Sequence, residues 1–318
     1  MKPHLYEYDF GITCIDTMYL YTGYAACYLM VQNGRAAFID TGTGHTVPYL
    51  LETLKLKGLS VEDVDYVIPT HVHLDHAGGA GLLMSKLPNA NLVIHPRGAQ
   101  HMIDPKKLII GATAVYGAEK FKTCFGDIIS IDEQQVIVAE DNFELKLSGR
   151  ILKFIDTPGH ARHHLCVYDE QSNGFFTGDT FGLSYRELDN QDGAFILPTT
   201  SPVQFEPDAW QNSLTRILDH QPKNMYLTHF GRVTEIERLS KQLRVDIDEY
   251  ANIAKRCISN ENRKEAITNG IRLYLQSRLK ERYTDNKVNK FTEFLTPDIE
   301  LNAAGLEVWI KRLEKRPK

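Results

Sequence analysis

Residues 70–79 read THVHLDHAGG, which places His71, His73, Asp75 and His76 within six positions. Imidazole and carboxylate together suit zinc, iron or manganese. In an extended loop alternate side chains share a side, so His71 and His73 can grip one ion. Asp75 and His76 lie further round and can serve a second. A chance patch of surface histidines is the competing reading. Against it, the cluster follows an apolar run, VDYVIPT, and is backed by Gly78-Gly79, where backbone can turn closely.

A metal with an open position takes about three protein ligands, so two metals need more than this loop supplies. Three other apolar runs end in ligand-type residues. RILKFIDTPGH ends in His160, GFFTGD in Asp179 and NMYLTH in His229. Sites in open α/β sheets form beyond the carboxyl ends of strands. Four strand ends bearing such residues are the pattern a shared site leaves. His164, four residues past His160, is placed to orient a ligand or line the pocket. Most of the remaining histidines are expected to be structural.

The elements around these motifs alternate. CYLMVQNGRAAFID reads as a hairpin turning at Asn33-Gly34, a pair that tolerates positive φ. A helix is expected from Tyr49 to Gly58, then a cap at Ser60 with Asp63 three residues on. AGLLMSKL reads as a helix and ANLVIHP as a strand. Residues 97–125 read as irregular and helical. QQVIVAE, FELKLSG and RILKFIDT read as strands, as do HLCVYD and GFFTGD across Ser172-Asn173-Gly174. PDAWQNSLTRILDH is a helix with Pro207 in its first turn, and MYLTHFG a last strand. From Val233 strand patterns almost vanish and apolar residues take helical spacing. Two regions are therefore expected, a catalytic domain over 1–232 and a helical C-terminal region over 233–318. Trp309 is expected to be a packing anchor. The long segment 181–207 has few regular signals and is expected to shape a pocket through Tyr185, Phe195 or Phe205.

Composition sets outer limits. The 318 residues carry a net charge of −5 and are 42% hydrophobic and 24% charged, an ordinary globular balance. The five cysteines are widely spaced without a C-x-x-C, which favours free thiols, a reducing compartment and no cysteine metal site. No apolar run approaches a membrane span, and no leader is evident, so a cytoplasmic protein is expected. Residues 233–318 hold 18 Lys and Arg against 14 Asp and Glu. That basic excess is scattered among acids, with no basic block interleaved with aromatics, so a nucleic-acid partner is not expected.

Taken in order, THVHLDH (70–76), TPGH (157–160), TGDT (177–180) and LTHFG (227–231), with IDTG (39–42) upstream, resemble the metallo-β-lactamase superfamily. The resemblance implies an α/β fold, a four-layer αββα sandwich with the site at one edge, here with a C-terminal helical appendage. It implies that His71, His73 and His160 hold metal one, that Asp75, His76 and His229 hold metal two, and that Asp179 bridges them. Asp40 would lie behind the ligands. Two divalent ions are expected, zinc first, with iron or manganese compatible. Such a pair ionises a shared water, and the hydroxide attacks a carbonyl or phosphoryl centre. Asp75 is the expected proton acceptor.

TPGH-ARHHLCV resembles a stretch shared by glyoxalase II and acyl-homoserine lactonases, with His164 at its second histidine and Arg162 and His163 as departures. Lactonases commonly carry a tyrosine three residues past the bridging aspartate. Gly182 stands there, and Tyr185, six residues on, is the candidate substitute. A thioester or lactone hydrolase is the leading expectation. The alternatives are a phosphodiesterase, which an acidic catalytic portion disfavours, and a persulfide dioxygenase with one iron. A small-molecule substrate is expected. The C-terminal helices are expected to cover the site, form a homodimer or bind a partner.

Overall fold

A computed structural model describes residues 2–200 and 203–315. Seven strands form the first sheet in chain order. They are β1 (Leu5–Tyr8), β2 (Ile12–Asp16), β3 (Ala26–Gln32), β4 (Arg35–Ile39), β5 (Val64–Ile68), β6 (Asn91–Ile94) and β7 (Val136–Val138). β1 to β4 run antiparallel, and β4 to β7 run parallel. The second sheet holds β8 (Glu144–Leu147), β9 (Arg150–Asp156), β10 (Leu165–Asp169), β11 (Gly174–Gly178), β12 (Asn224–Leu227) and β13 (Gly231–Val233). All its neighbours are antiparallel except β11 and β12.

Period-two alternation produces the layers. In β3 and β4, Cys27, Leu29, Ala36 and Phe38 enter an outer core with α1 (Val47–Leu56) and α3 (Ala80–Met84). Their neighbours Tyr28, Met30, Ala37 and Ile39 face the other sheet instead. There they join Phe154, Val167, Phe176 and Tyr226 in a core between the sheets. On the second sheet Phe175, Met225 and Leu227 point outward, onto α7 (Pro207–Leu218) and α8 (Ile236–Arg256). The result is two mixed sheets between helical layers, as the motifs imply.

The hairpin turns where expected, with Asn33 and Gly34 both at positive φ. Ser60 and Asp63 form the expected reciprocal cap, on a 3₁₀ turn. β1 and β2 were not legible as strands. Residues 97–125 resolve into α4 (Pro96–Ile103), α5 (Lys106–Tyr116) and α6 (Ala118–Phe125). The C-terminal region contains α8, α9 (Arg263–Lys280), α10 (Asp285–Phe294) and α11 (Thr296–Glu314). Its apolar residues, among them Leu243, Ile271 and Leu306, share one core with the outer face of the second sheet. Hydrophobic packing is thus continuous across residue 232. Trp309 is 6% exposed and packs edge-on against Phe205 at 5.4 Å, the anchoring role expected of it. No helix among the described residues is long and apolar enough to cross a membrane.

One ion pair locks the second sheet. Arg150 on β9 meets Asp169 on β10 through two bonds, Nε to Oδ1 at 2.8 Å and Nη2 to Oδ2 at 2.5 Å. Its Nη1 also donates to the Phe10 carbonyl at 2.6 Å. Both side chains are fully buried. Arg150→Ala strands a buried carboxylate, so urea unfolding should show a loss of about 3–5 kcal/mol. A loss under about 1 kcal/mol contradicts that burial.

Candidate metal centre

Four strand ends converge on one edge of the sandwich. β5 leads into Thr70-His71-Val72-His73, and α2 (Leu74–Ala77) carries Asp75 and His76. The loops after β9, β11 and β12 carry His160, Asp179 and His229. Two of these loops require glycine. At Gly159, φ is +140° and a Cβ would fall 2.4 Å from the Trp210 backbone. At Gly178, φ is +47° and a Cβ would meet Thr70 Oγ1 and His164 Nε2 at 2.6 Å. Any side chain there displaces the loop that carries a ligand-type residue.

The seven residues form two sets whose polar atoms lie within 4.8 Å of one another, His71, His73, His160 and Asp179 in one and Asp75, His76 and His229 in the other. In the first set His73 Nδ1 lies 2.9 Å from His71 Nε2 and 3.0 Å from His160 Nε2. In the second, His229 Nε2 is 3.4 Å from Asp75 Oδ2. Asp179 joins them. Its Oδ2 faces His160 Nε2 at 3.3 Å, and its Oδ1 faces His76 Nε2 at 3.3 Å and His229 Nε2 at 3.7 Å. One carboxylate presenting an oxygen to each set is the disposition of a bridging ligand.

Outer partners aim the rings. His76 Nδ1–H donates to Asp40 Oδ2 at 2.8 Å, His160 Nδ1–H to the Thr199 carbonyl at 2.8 Å, and His229 Nδ1–H to the Tyr24 carbonyl at 2.8 Å. Each bond fixes the tautomer and turns the Nε2 lone pair inward. Asp40 also accepts from Thr70 N–H at 2.7 Å and from the Thr228 hydroxyl at 2.7 Å. It therefore ties three loops together behind the site. His164 accepts from Asp179 N–H at 3.1 Å through Nε2, while its Nδ1 meets the Thr157 hydroxyl at 2.9 Å. It is fully buried and positions Asp179 from beneath.

Charge tests whether these residues fit cations. His76 Nε2 and Asp179 Oδ1 are buried with no hydrogen-bond partner among the described residues. With Nδ1–H committed to Asp40, a neutral His76 sets a lone pair against a carboxylate, an arrangement that calls for a positive charge. Burial resists protonating His76, but Asp179, Asp40 and Asp75 together raise its pKa well above the ordinary value. Burial likewise resists ionising Asp179, yet His76, His160 and His229 hold its carboxyl well below the usual range. His71 goes the other way, pushed well down by burial and by the imidazole of His76. Burial and His160 lower His73 to about 3. Both keep neutral rings with lone pairs to give. The donor set thus fits two divalent cations, and Asp40→Ala, which frees the His76 ring, should weaken metal binding about 10- to 100-fold. Competition against a chromophoric chelator reads this, and an affinity within about twofold of wild type contradicts the aiming role assigned to Asp40.

The centre opens into a cavity of about 260 Å³ floored by His73, Asp75, Asp179 and His229. α5 forms one wall through Leu108, Gly111, Ala112, Val115 and Tyr116. α11 contributes Asp298 and Leu301, and the long loop contributes Leu183, Thr199, Val203 and Gln204. Lys107 is the one Lys or Arg among the described lining residues.

A model of the metallo-beta-lactamase superfamily matches residues 20–229. The chain belongs to the metallo-beta-lactamase superfamily. It is 29% identical over 213 residues to a metallo-beta-lactamase fold-containing protein of Sulfurisphaera tokodaii, covering 66% of this chain and 74% of that one. It is 26% identical over 211 residues to a hydroxyacylglutathione hydrolase of Prochlorococcus marinus, covering 64% of this chain and 63% of that one. The crystal structure of an archaeal superfamily protein from Sulfolobus tokodaii superposes with a TM-score of 0.64 at 24% identity, covering 93% of this chain and 98% of that one. That likeness establishes the fold. Superfamily membership and the paired His/Asp clusters together fit a metal-dependent hydrolase.

The expected pocket aromatics lie elsewhere. Tyr185 is fully buried behind the wall, stacked on Tyr24 at 5.7 Å, with its hydroxyl donating to Asp298 at 2.9 Å. Phe195 lies under the Arg278 guanidinium at 4.4 Å, and Phe205 packs between Trp210 and Trp309. Sequence reasoning missed Tyr24, which lines the cavity and meets His229 edge-on at 5.1 Å. It also missed His163, Asp298 and the whole of α5. Only His163 carried a signal, as a departure within the TPGH stretch.

Proposed function

We propose that the chain hydrolyses an ester-type carbonyl, a thioester or a lactone, at a dinuclear metal centre held by His71, His73, His160, Asp179, Asp75, His76 and His229. The observation that carries this is Asp179, one buried carboxylate with an oxygen turned to each ligand set. Two divalent cations bound there supply Lewis acidity and acidify water.

The chain's own residues do the rest. Asp75 lines the cavity and is kept ionised. Burial opposes this, but His76 and His229 hold its carboxyl well below the usual range. It receives the proton released as water adds to the carbonyl carbon, then returns it to the departing thiolate or alkoxide. Asp40 and His164 hold the ligands still while charge develops on the carbonyl oxygen, so little reorganisation is needed. The walls supply an apolar surface for the acyl group. With one lysine among the described lining residues, the cavity lacks the positive footprint of a polyanion site. Similarity to a hydroxyacylglutathione hydrolase supports the thioester branch.

The test is a panel of thioesters, lactones and phosphodiesters offered to the metal-loaded chain, with oxygen uptake followed in parallel. A thioester or lactone should lead the best phosphodiester by tenfold or more in kcat/KM, which is about 1.4 kcal/mol of transition-state preference. Phosphodiester turnover in the lead, or oxygen consumption with a persulfide, refutes the proposal.

A further inference from the structure

Among the described residues six aspartates are buried: Asp16, Asp40, Asp169, Asp179, Asp246 and Asp298. Asp179 belongs to the metal centre. Four of the others have at least two donors each. Asp16 takes the backbone N–H groups of Met18 and Gly23, and Asp40 is bonded by Thr70, Thr228 and His76. Asp169 takes Arg150 and Ser172, and Asp246 takes Gln242, Tyr274 and Arg278. Such satisfaction is the rule for buried carboxylates, because an unpaired one costs several kcal/mol.

Asp298 differs in its partners and its place, with a backbone N–H beside the Tyr185 hydroxyl as its donors among the described residues. It is 5% exposed, and the Tyr185 hydroxyl at 2.9 Å is its one side-chain hydrogen-bond donor among the described residues. No Lys or Arg pairs with it among them. It is also the one of these five that lines the cavity. Burial, only partly offset by the Tyr185 bond, pushes its carboxyl up to about 6. Its place in the first turn of α11 suits a negative charge, but does not account for its standing in the cavity wall. Tyr24 relates it to the chemistry: that ring stacks on Tyr185 at 5.7 Å and meets His229 at 5.1 Å.

We propose that Asp298 is a specificity residue, accepting a hydrogen bond from an amide N–H or ammonium carried on the acyl group beside the scissile carbonyl. The C-terminal helices thereby read the substrate through α11. The inference rests on the carbonyl-hydrolase reading above, and its test separates the two. N-acetylglycine and 4-oxopentanoate are the same size and differ by one N–H in place of CH₂. They are also the products of the matching thioesters.

Calorimetric titration of the metal-loaded full chain should show N-acetylglycine binding roughly 10- to 100-fold more tightly, the range for a hydrogen bond to a charged group. kcat/KM for the two thioesters should differ likewise. Asp298→Ala should bring both ratios to within about threefold. Tyr185→Phe keeps the carboxylate and should keep the preference. Equal affinities in the wild type overturn the inference, as does an equal loss on both ligands in Asp298→Ala and Tyr185→Phe, the mark of a structural brace. Absence of any ester turnover defeats the hydrolase reading alone, since the binding ratio is measured without turnover.

Discussion

Asp179→Ala should lower kcat/KM on the best carbonyl substrate by about three orders of magnitude or more. The argument is geometric. No other described side chain offers one oxygen to the first set and another to the second. Losing it removes a charge from both positions at once, and the interactions at stake are worth several kcal/mol of transition-state stabilisation, each 1.4 kcal/mol being about tenfold. The fold should survive, because the buried core around β11 is built from Phe175 and Phe176 rather than from Asp179. Circular dichroism should therefore be unchanged while activity and metal content fall together. A variant that keeps full activity with two ions bound removes Asp179 from the bridging role.

Asp75→Asn should lower kcat by about 10²- to 10⁴-fold at saturating metal, the usual weight of a positioned proton acceptor. Asparagine keeps the shape and one oxygen but accepts no proton at neutral pH. Asp75 is suited to the task by its surroundings: it stands 3.4 Å from His229 Nε2, its side chain is 24% exposed, and it lines the cavity. Metal stoichiometry should be measured beside the rate, so that loss of an ion is distinguished from loss of the base. An Asp75→Asn protein with both ions and undiminished kcat assigns the proton to another group.

These effects concern residues that were legible in the sequence, and the reason is local. Each ligand-type residue of the two sets follows an apolar strand run, so a strand end and a side-chain type together place it. Asp40 was legible for the same reason, standing after β4. The cavity walls were not. Whether Tyr185, Phe195 or Phe205 faces substrate depends on which neighbour reaches each ring first. Asp298, Arg278 and the pair of Trp210 and Trp309 reach them from outside the loop. In a segment without periodicity no pattern announces that. Asp298 itself reads as an ordinary acid at a helix start, and only its place in the cavity wall sets it apart from the other buried aspartates. β1 and β2 were missed because β1 exposes Tyr6 and Glu7, and β2 buries all of ITCID, polar Thr13 and Asp16 included, so neither shows a clean apolar alternation. The change of texture at Val233 was legible, but not that its helices complete the core over the second sheet.

Metal stoichiometry tests the central claim most directly. The 318-residue chain, reconstituted with excess zinc, iron or manganese and freed of unbound ion, should carry close to two ions per chain by elemental mass spectrometry. Asp179→Ala should carry one or none. A wild-type chain that retains one ion or none under every loading condition contradicts the paired centre, whatever substrates it turns over.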